Sequence, residues 1–171
     1  IKSWYNTLLA KLSLFVYISS IRFLGGVCMS KNLLRLKLLG SSSVFLNQEE
    51  VFFPFAKINA LLYYLHINGA VNREEIAGIL WENKDNQTAK KNLRNTIYQA
   101  NKLLGGEWIV APNRTVLSLN PECVIESDVE LFMNHPADHL SLYQGDFLQG
   151  FYLKDSEAFD YWVSKMRTRY E

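Results

Sequence analysis

The chain has 171 residues, of which 49% are hydrophobic and 13% aromatic, and a formal net charge of +1 at pH 7. This composition supplies enough apolar surface for a core and excludes a collagen-like, coiled-coil or wholly disordered chain. The charge is uneven, since residues 1–120 hold fourteen Lys/Arg against seven Asp/Glu and residues 121–171 hold four against ten. This split predicts two units with different partners, the basic one a candidate for nucleic acid.

Residues 1–32 are interpreted as an N-terminal extension of uncertain role. Its apolar stretch, residues 12–21, lies between Lys11 and Arg22. The stretch is similar to the core of a signal peptide but is too short to span a bilayer. Three interpretations stay open: sequence upstream of a natural start at Met29, an added amphipathic helix, or a membrane or export role. We expect no membrane partner.

The chain lacks the residue patterns of a metal site or an enzyme. Cys28 and Cys123 stand far apart in the sequence with no CxxC pair, so we expect no disulfide framework and no zinc site, in a reducing cytoplasmic setting. His135 and His139 have a spacing that can hold a metal on a helix, but Pro136 disfavours a regular helix there. No nucleophile elbow and no phosphate-binding glycine loop is present. We therefore predict no metal, no cofactor and no catalytic activity.

The first ordered region is predicted from residue 33 onward. Alternating apolar and basic residues over 34–38 indicate a half-buried strand. Two further β-prone runs, 44–46 and 51–53, extend this into a small antiparallel meander. Apolar residues at helical spacing then predict a helix over 56–68, with Gly69 as its left-handed cap.

A pair of helices and a hairpin follow. Asn72, with Glu75 three residues later, is a capping-box arrangement that opens a short helix ending at Trp81. After the polar turn 82–86, a helical pattern runs over 87–104 and stops at two glycines. Two strand-like runs, 108–110 and 116–119, are joined by a five-residue loop tipped by Arg114 and predict a hairpin. We expect Asp128 to cap a helix over residues 129–133. Further helices are expected near residues 140–143 and over 159–170, the last with its apolar face against a following helix.

The helix over 87–104 carries the functional signal. At about 100° per residue one side is apolar, with Ala89, Leu93, Thr96, Ile97, Ala100, Leu103 and Leu104. The other side is polar and has no acidic residue, with Gln87, Lys91, Arg94, Asn95, Tyr98, Asn101 and Lys102. Cations on such a face can neutralise phosphates, and Arg, Asn and Gln can bond to base edges. Taken alone the face is more simply a solvated surface, but the hairpin after it favours a winged helix-turn-helix.

Two segments of the sequence resemble known bacterial families. Residues 71–83 and the run AKKNLRNTIYQANKLLGG at 89–106 resemble the OmpR/PhoB-type winged helix of SARP-type activators, and residues 141–167 resemble the opening of the bacterial transcriptional activator domain. The resemblance implies an α+β fold: a winged helix domain over 33–122 with an N-terminal strand meander. Over 123–171 it implies a linker and the first helices of a tetratricopeptide-like module, truncated at residue 171.

The resemblance also implies a function, which is sequence-specific DNA binding by a transcriptional activator. The helix over 87–104 would read the major groove and the wing would meet the minor groove or backbone. The implied DNA-binding residues are Lys90, Lys91, Arg94, Asn95, Tyr98, Asn101, Lys102 and Arg114. RNA polymerase would contact loop 82–86, and a homodimer would bind direct-repeat sites.

Two points qualify this expectation. Many relatives have an Arg-Leu-Arg run where this chain has Gln99, Ala100 and Asn101, which predicts weaker phosphate contact or a different base preference. The alternative function is a protein-interaction module, in which the winged helix does not bind DNA and the helical segment recruits a partner. The basic excess of residues 34–120, ten against seven, argues only weakly against it.

Overall fold

A computed structural model describes residues 32–170, which belong to a single unit by their internal contacts. The elements in chain order are β1 (Leu33–Lys37), β2 (Ser43–Leu46), β3 (Glu49–Glu50), α1 (Ala56–Asn68), β4 (Val71–Asn72), α2 (Arg73–Leu80), α3 (Asn86–Leu103), β5 (Ile109–Val110), β6 (Val116–Leu119), β7 (Val124–Ser127), α4 (Asp128–Asn134), a 3-10 turn (Leu140–Leu142) and α5 (Glu157–Tyr170). The expectations for the N-terminal extension fall on residues outside this part, apart from its last residue.

The first sheet has the strand order β3-β2-β1-β7, and its first three strands are the predicted meander. β1 and β2 pair antiparallel, with Leu34 opposite Leu46. The third strand is Glu49–Glu50 rather than the expected 51–53. Asn47 and Gln48 both have positive φ, 51° and 78°, so a two-residue turn reverses the chain earlier than the apolar pattern suggested.

The fourth strand of this sheet, β7, was not predicted. It lies parallel to β1, with Leu34 opposite Ile125. A strand that pairs with a segment about ninety residues earlier leaves no local turn signal in the sequence. The expected domain boundary between residues 122 and 123 therefore needs correction, because residues 124–127 are part of the first sheet and not a linker.

Both helices of the pair have side-chain caps, of which the sequence analysis predicted the one at Asn72. The Asn72 side chain accepts hydrogen bonds from the backbone N–H groups of Glu74 (2.8 Å) and Glu75 (3.4 Å), which fixes the start of α2. Asp85 caps α3 in the same way, accepting from the N–H of Thr88 at 3.0 Å. After α3, Gly105 takes a φ of 67°, a left-handed conformation that favours glycine.

The second sheet packs beside these helices in the order β4-β6-β5. β5 and β6 form the predicted hairpin, with Ile109 opposite Leu119. The short strand β4, which the sequence did not reveal, pairs Val71 with Leu117 and so joins the hairpin to the start of α2. Three helices followed by a hairpin on a three-stranded sheet form the arrangement of a winged helix-turn-helix, and the α+β fold class is confirmed.

The C-terminal helix α5 packs on the winged helix unit. Its expected apolar residues Phe159, Trp162 and Val163 are buried. The Trp162 ring lies 4.8 Å from the ring of Tyr64 on α1, measured between centroids, and α5 also contacts α2. The face is therefore part of the core, as expected, but the partners that the structure describes lie earlier in the chain, on α1 and α2. The tetratricopeptide-like character of the segment stays a prediction.

The described part of the chain has no helix with the length and apolarity that crossing a membrane requires.

Candidate functional site

Helix α3 presents one polar face to solvent. Its exposed residues include Gln87, Lys91, Arg94, Asn95, Tyr98 and Lys102. The opposite face, formed by Ala89, Leu93, Thr96 and Ala100, is buried against the core. The Tyr98 side chain is 60% exposed, although it is a large aromatic group. The Lys102 ammonium lies 5.9 Å from the centre of the Tyr98 ring, within the range of a cation–π contact.

The buried side of α3 differs from the prediction at the C-terminal end of the helix. Leu103 was expected on the buried side but is 45% exposed, whereas Leu104 is 1% exposed. Leu104 caps the end of the helix and still donates its N–H to the Ala100 carbonyl at 3.0 Å, so it lies on the same buried side as Ala100. Its carbonyl accepts a hydrogen bond from the Trp108 indole N–H at 3.1 Å, which ties the helix end to the hairpin.

The position of the Asn101 side chain also differs from the prediction. The sequence placed it on the DNA-facing side, but its side-chain oxygen accepts from the backbone N–H groups of Trp108 (3.1 Å) and Ile109 (2.9 Å). Its amide nitrogen donates to the Ile109 carbonyl at 2.9 Å. These bonds hold β5 against α3 and leave the amide little capacity to read a base. We therefore remove Asn101 from the candidate interface.

Arg114, the one DNA-binding residue predicted on the hairpin, is exposed at the tip of the loop between β5 and β6. The Asn113 side-chain oxygen fixes this tip, since it accepts from the N–H groups of Thr115 and Val116, each at 2.9 Å. Such a turn holds the backbone while it leaves the Arg114 side chain in solvent. At the other end of the turn, the N–H of Arg73 donates to the Thr115 carbonyl at 2.8 Å.

A basic cleft lies between the start of α2, the middle of α3 and the wing. We call it the wing cleft; its volume is about 470 Å³ and it is lined by Asn72, Arg73, Glu74, Lys90, Leu93, Arg94, Arg114 and Thr115. Four of these residues are basic and one is acidic. Arg73 was not among the predicted site residues, although its place directly after the Asn72 cap marks it as the first residue of a helix.

Lys90 is already paired within the wing cleft. Its ammonium makes an ion pair with the Glu74 carboxylate, which joins α3 to α2. The Lys90 ammonium donates a hydrogen bond to that carboxylate and attracts its charge, which together lower the pKa of Glu74 below its usual value. Lys90 therefore differs from Lys91 and Arg94, whose exposed side chains form no ion pair with the described residues.

Asn95 borders a second groove on the other flank of α3. This groove, about 530 Å³, is lined by Pro54, Phe55, Ala56, Lys57, Trp81, Asn92, Asn95, Thr96, Leu153 and Lys154. Its apolar floor comes from residues on three separate parts of the chain. Asn95 thus lies at the edge of the polar face of α3, whereas Arg94 lies toward the wing.

The turn 82–86 was expected to contact RNA polymerase. At each end of it, a side chain makes hydrogen bonds that stabilise a helix start. Asp85 caps α3, as described, and the Glu82 carboxylate accepts hydrogen bonds from the backbone of Glu157 and Ala158, each at 2.9 Å. Between them Asn83 and Lys84 are exposed. Contact between this turn and a polymerase stays a prediction.

No protein-family model matches this sequence, and no curated protein matches it. Among solved structures, the chain is similar to EmbR of Mycobacterium tuberculosis in complex with a low-affinity phosphopeptide, with a TM-score of 0.59 and 20% sequence identity. The match covers 82% of this chain and 43% of EmbR, so this chain spans less than half the length of that protein. At this identity the likeness shows a shared α+β fold.

Proposed function

We propose that this protein is a sequence-specific DNA-binding regulator of transcription. The observation that carries the proposal is the placement of the exposed polar face of α3 beside a wing tipped by Arg114, with a basic cleft between them. In this arrangement α3 enters the major groove and the wing reaches the adjacent minor groove or backbone. The same arrangement is shared by the folds of winged helix proteins.

The residues of this face have the chemistry that DNA recognition requires. Arg94 can bond to a guanine through its two-pronged guanidinium group, and Asn95 can bond to adenine in the same bidentate way. Lys91 and Lys102 can neutralise phosphates and release counterions. Tyr98 can pack on a sugar or donate to a phosphate. We assign these five residues, with Lys90 and Arg114, to the DNA interface.

The finer parts of the proposal come from the resemblance of the sequence to SARP-type activators. They are an activating rather than repressing role, contact with RNA polymerase through turn 82–86, and binding as a homodimer to direct repeats. Asn83 and Lys84 are the exposed residues of that turn which a polymerase would meet.

The test uses the full chain and a pool of random-sequence DNA duplexes. Repeated selection recovers any enriched motif, and fluorescence anisotropy then measures binding to it across a salt series. We expect a recovered motif and a steep loss of affinity with salt, since phosphate contacts dominate such complexes. Arg94→Ala should lose about 1–3 kcal/mol of binding free energy and relax the preference at one base position. Lys91→Ala should weaken binding to all sequences.

The control is Lys165→Ala, because Lys165 is an exposed cation on α5, away from this face. It should leave both affinity and salt dependence unchanged. If selection enriches no sequence, and weak binding is the same in all variants, the DNA-binding proposal fails. The alternative of a protein-interaction module would then explain the fold better.

A further inference from the structure

The wing cleft contains one acidic residue among the eight that line it, and that residue is Glu74. Its side chain is 66% exposed and its carboxylate is paired with the Lys90 ammonium. The other charged groups of the cleft are Arg73, Arg94 and Arg114. A carboxylate in a cleft of this kind opposes the approach of an anion and reduces the charge that one of its four cations can offer.

We propose that Glu74 sets the affinity of this protein for DNA by competing with a backbone phosphate for Lys90. This inference depends on the proposed DNA-binding function. In the free protein Lys90 is held by Glu74, and in the complex a phosphate in the wing cleft takes its place. Glu74 then stands unpaired near the phosphate backbone, where its charge repels the DNA.

The geometry makes this exchange feasible. Both partners of the pair are partly exposed, with 43% of the Lys90 side chain and 66% of the Glu74 side chain open to solvent. Solvent-exposed ion pairs are weak, because water and salt screen them and two long side chains must be ordered. A phosphate oxygen accepts from an ammonium as readily as a carboxylate does. Lys90 can therefore change partners without any movement of the backbone.

The effect of Glu74 is independent of DNA sequence. Its repulsion acts on the phosphate backbone, which every duplex carries, so it lowers binding to random DNA as well as to a selected site. Contacts between α3 and base edges add binding free energy to this reduced affinity for random DNA. A protein with Glu74 in the wing cleft thus spends less time on non-specific DNA than one without it.

The experiment compares Glu74→Gln with Glu75→Gln in the full chain. Both substitutions remove one negative charge from the first turn of α2, but Glu75 is not among the residues that line the wing cleft. Anisotropy is measured on the selected duplex and on a scrambled duplex of equal length, from low to moderate salt. We expect Glu74→Gln to bind both duplexes roughly 3- to 10-fold more tightly at low salt. This difference should shrink as salt rises, because salt screens the repulsion between Glu74 and the phosphates. Glu75→Gln should change affinity by less than about 2-fold.

A double-mutant cycle with Lys90→Gln tests the exchange itself. Lys90→Gln should weaken binding more in the Glu74→Gln background than in the wild type, because only there is the ammonium fully free for phosphate. Thermal melting followed by circular dichroism checks that each variant is folded.

Three results would overturn the inference. Equal tightening by Glu74→Gln and Glu75→Gln would show an effect of net charge alone. Weaker binding by Glu74→Gln would show that the pair positions Lys90 for DNA. If the wild type binds DNA and Glu74→Gln binds it with the same affinity, the inference is rejected but the DNA-binding function stands. If neither the wild type nor any variant binds a duplex, the proposed function and this inference fail together.

Discussion

The Glu82 carboxylate caps a helix that begins 75 residues later in the chain. Its two oxygens accept from the N–H groups of Glu157 and Ala158, the first two residues of α5, each at 2.9 Å. The hydroxyl of Ser156, which precedes α5, donates to the Leu80 carbonyl at 2.9 Å. A carboxylate near a helix start also complements the helix dipole. The turn between α2 and α3 and the start of α5 are therefore held together by charge and hydrogen bonds.

This contact predicts a cost in stability when the carboxylate is removed. Glu82→Ala should lower the free energy of unfolding by about 1 kcal/mol, since it leaves two N–H groups at the start of α5 without their acceptor. Urea unfolding followed by circular dichroism measures the change. Glu122→Ala, at an exposed acidic residue away from this cap, is the control and should have a much smaller effect. Equal losses in both variants would show that Glu82 acts only through net charge.

The elements that the sequence predicted well are those with local signals. The bounds of α1 follow from apolar spacing and Gly69, and the start of α2 follows from the Asn72 cap. The hairpin also has its signal within a dozen residues. By contrast, β7 and the Glu82 cap depend on partners about 75 to 90 residues away, and no pattern within a short window encodes them.

The candidate site shows the same division. Helical periodicity alone placed Arg94 and Tyr98 on an exposed face, because that calculation needs only residues of one helix. Periodicity could not distinguish Asn101 from them, since its side-chain partners lie on the following strand. The Lys90 pair with Glu74 likewise joins two helices, so it is visible only when both are placed.

Asp128 holds the end of β1 in place, and its loss should destabilise the first sheet. It was expected to cap a helix, but Ser127 is the cap of α4, and the Asp128 carboxylate accepts from the N–H groups of Leu38 and Leu39 at 2.8 to 3.0 Å. Burial raises the pKa of the Asp128 carboxyl, and the hydrogen bonds from Leu39 and Leu38 limit that rise.

Asp128→Asn keeps the shape of the side chain but replaces one acceptor oxygen by a donor that faces backbone N–H groups. We expect the free energy of unfolding to fall by about 2 kcal/mol, measured by urea titration at neutral pH. The control is Asp138→Asn, because Asp138 is an exposed carboxylate in the loop after α4. A stability unchanged from the wild type would show that these backbone groups find another acceptor.

Asn101 and Asn95 offer a matched pair on one helix. Asn101→Ala removes three hydrogen bonds to the backbone of Trp108 and Ile109, so it should lower the free energy of unfolding by about 1–3 kcal/mol. Asn95 is exposed, so Asn95→Ala should leave the unfolding free energy within about 0.5 kcal/mol of the wild type. Chemical unfolding of both variants measures the contrast. Equal stability losses would contradict the assigned roles.

The environment of His66 predicts that the free energy of unfolding depends on pH. Its ring lies on α1, with Nε2 at 2.8 Å from the Ser127 hydroxyl and 3.6 Å from a Glu130 carboxylate oxygen. Burial lowers the pKa of His66, and the nearby carboxylates of Glu130 and Asp128 only partly offset this. Below a pH of about 6.5 the unfolded chain then binds a proton more readily than the folded protein does.

The stabilising contribution of neutral His66 is therefore present above that pH and is lost as the pH falls through the lowered pKa of the folded state. His66→Gln retains a group that can bond to Ser127 but does not titrate. The difference in unfolding free energy between wild type and His66→Gln, measured by urea titration from pH 7.5 to 5, should shift against the wild type as the pH falls. His135→Gln, at an exposed histidine, is the control for removal of an imidazole elsewhere. A difference that is constant with pH would show that His66 has the same proton affinity in both states, and a shift in favour of the wild type would show that Glu130 outweighs burial.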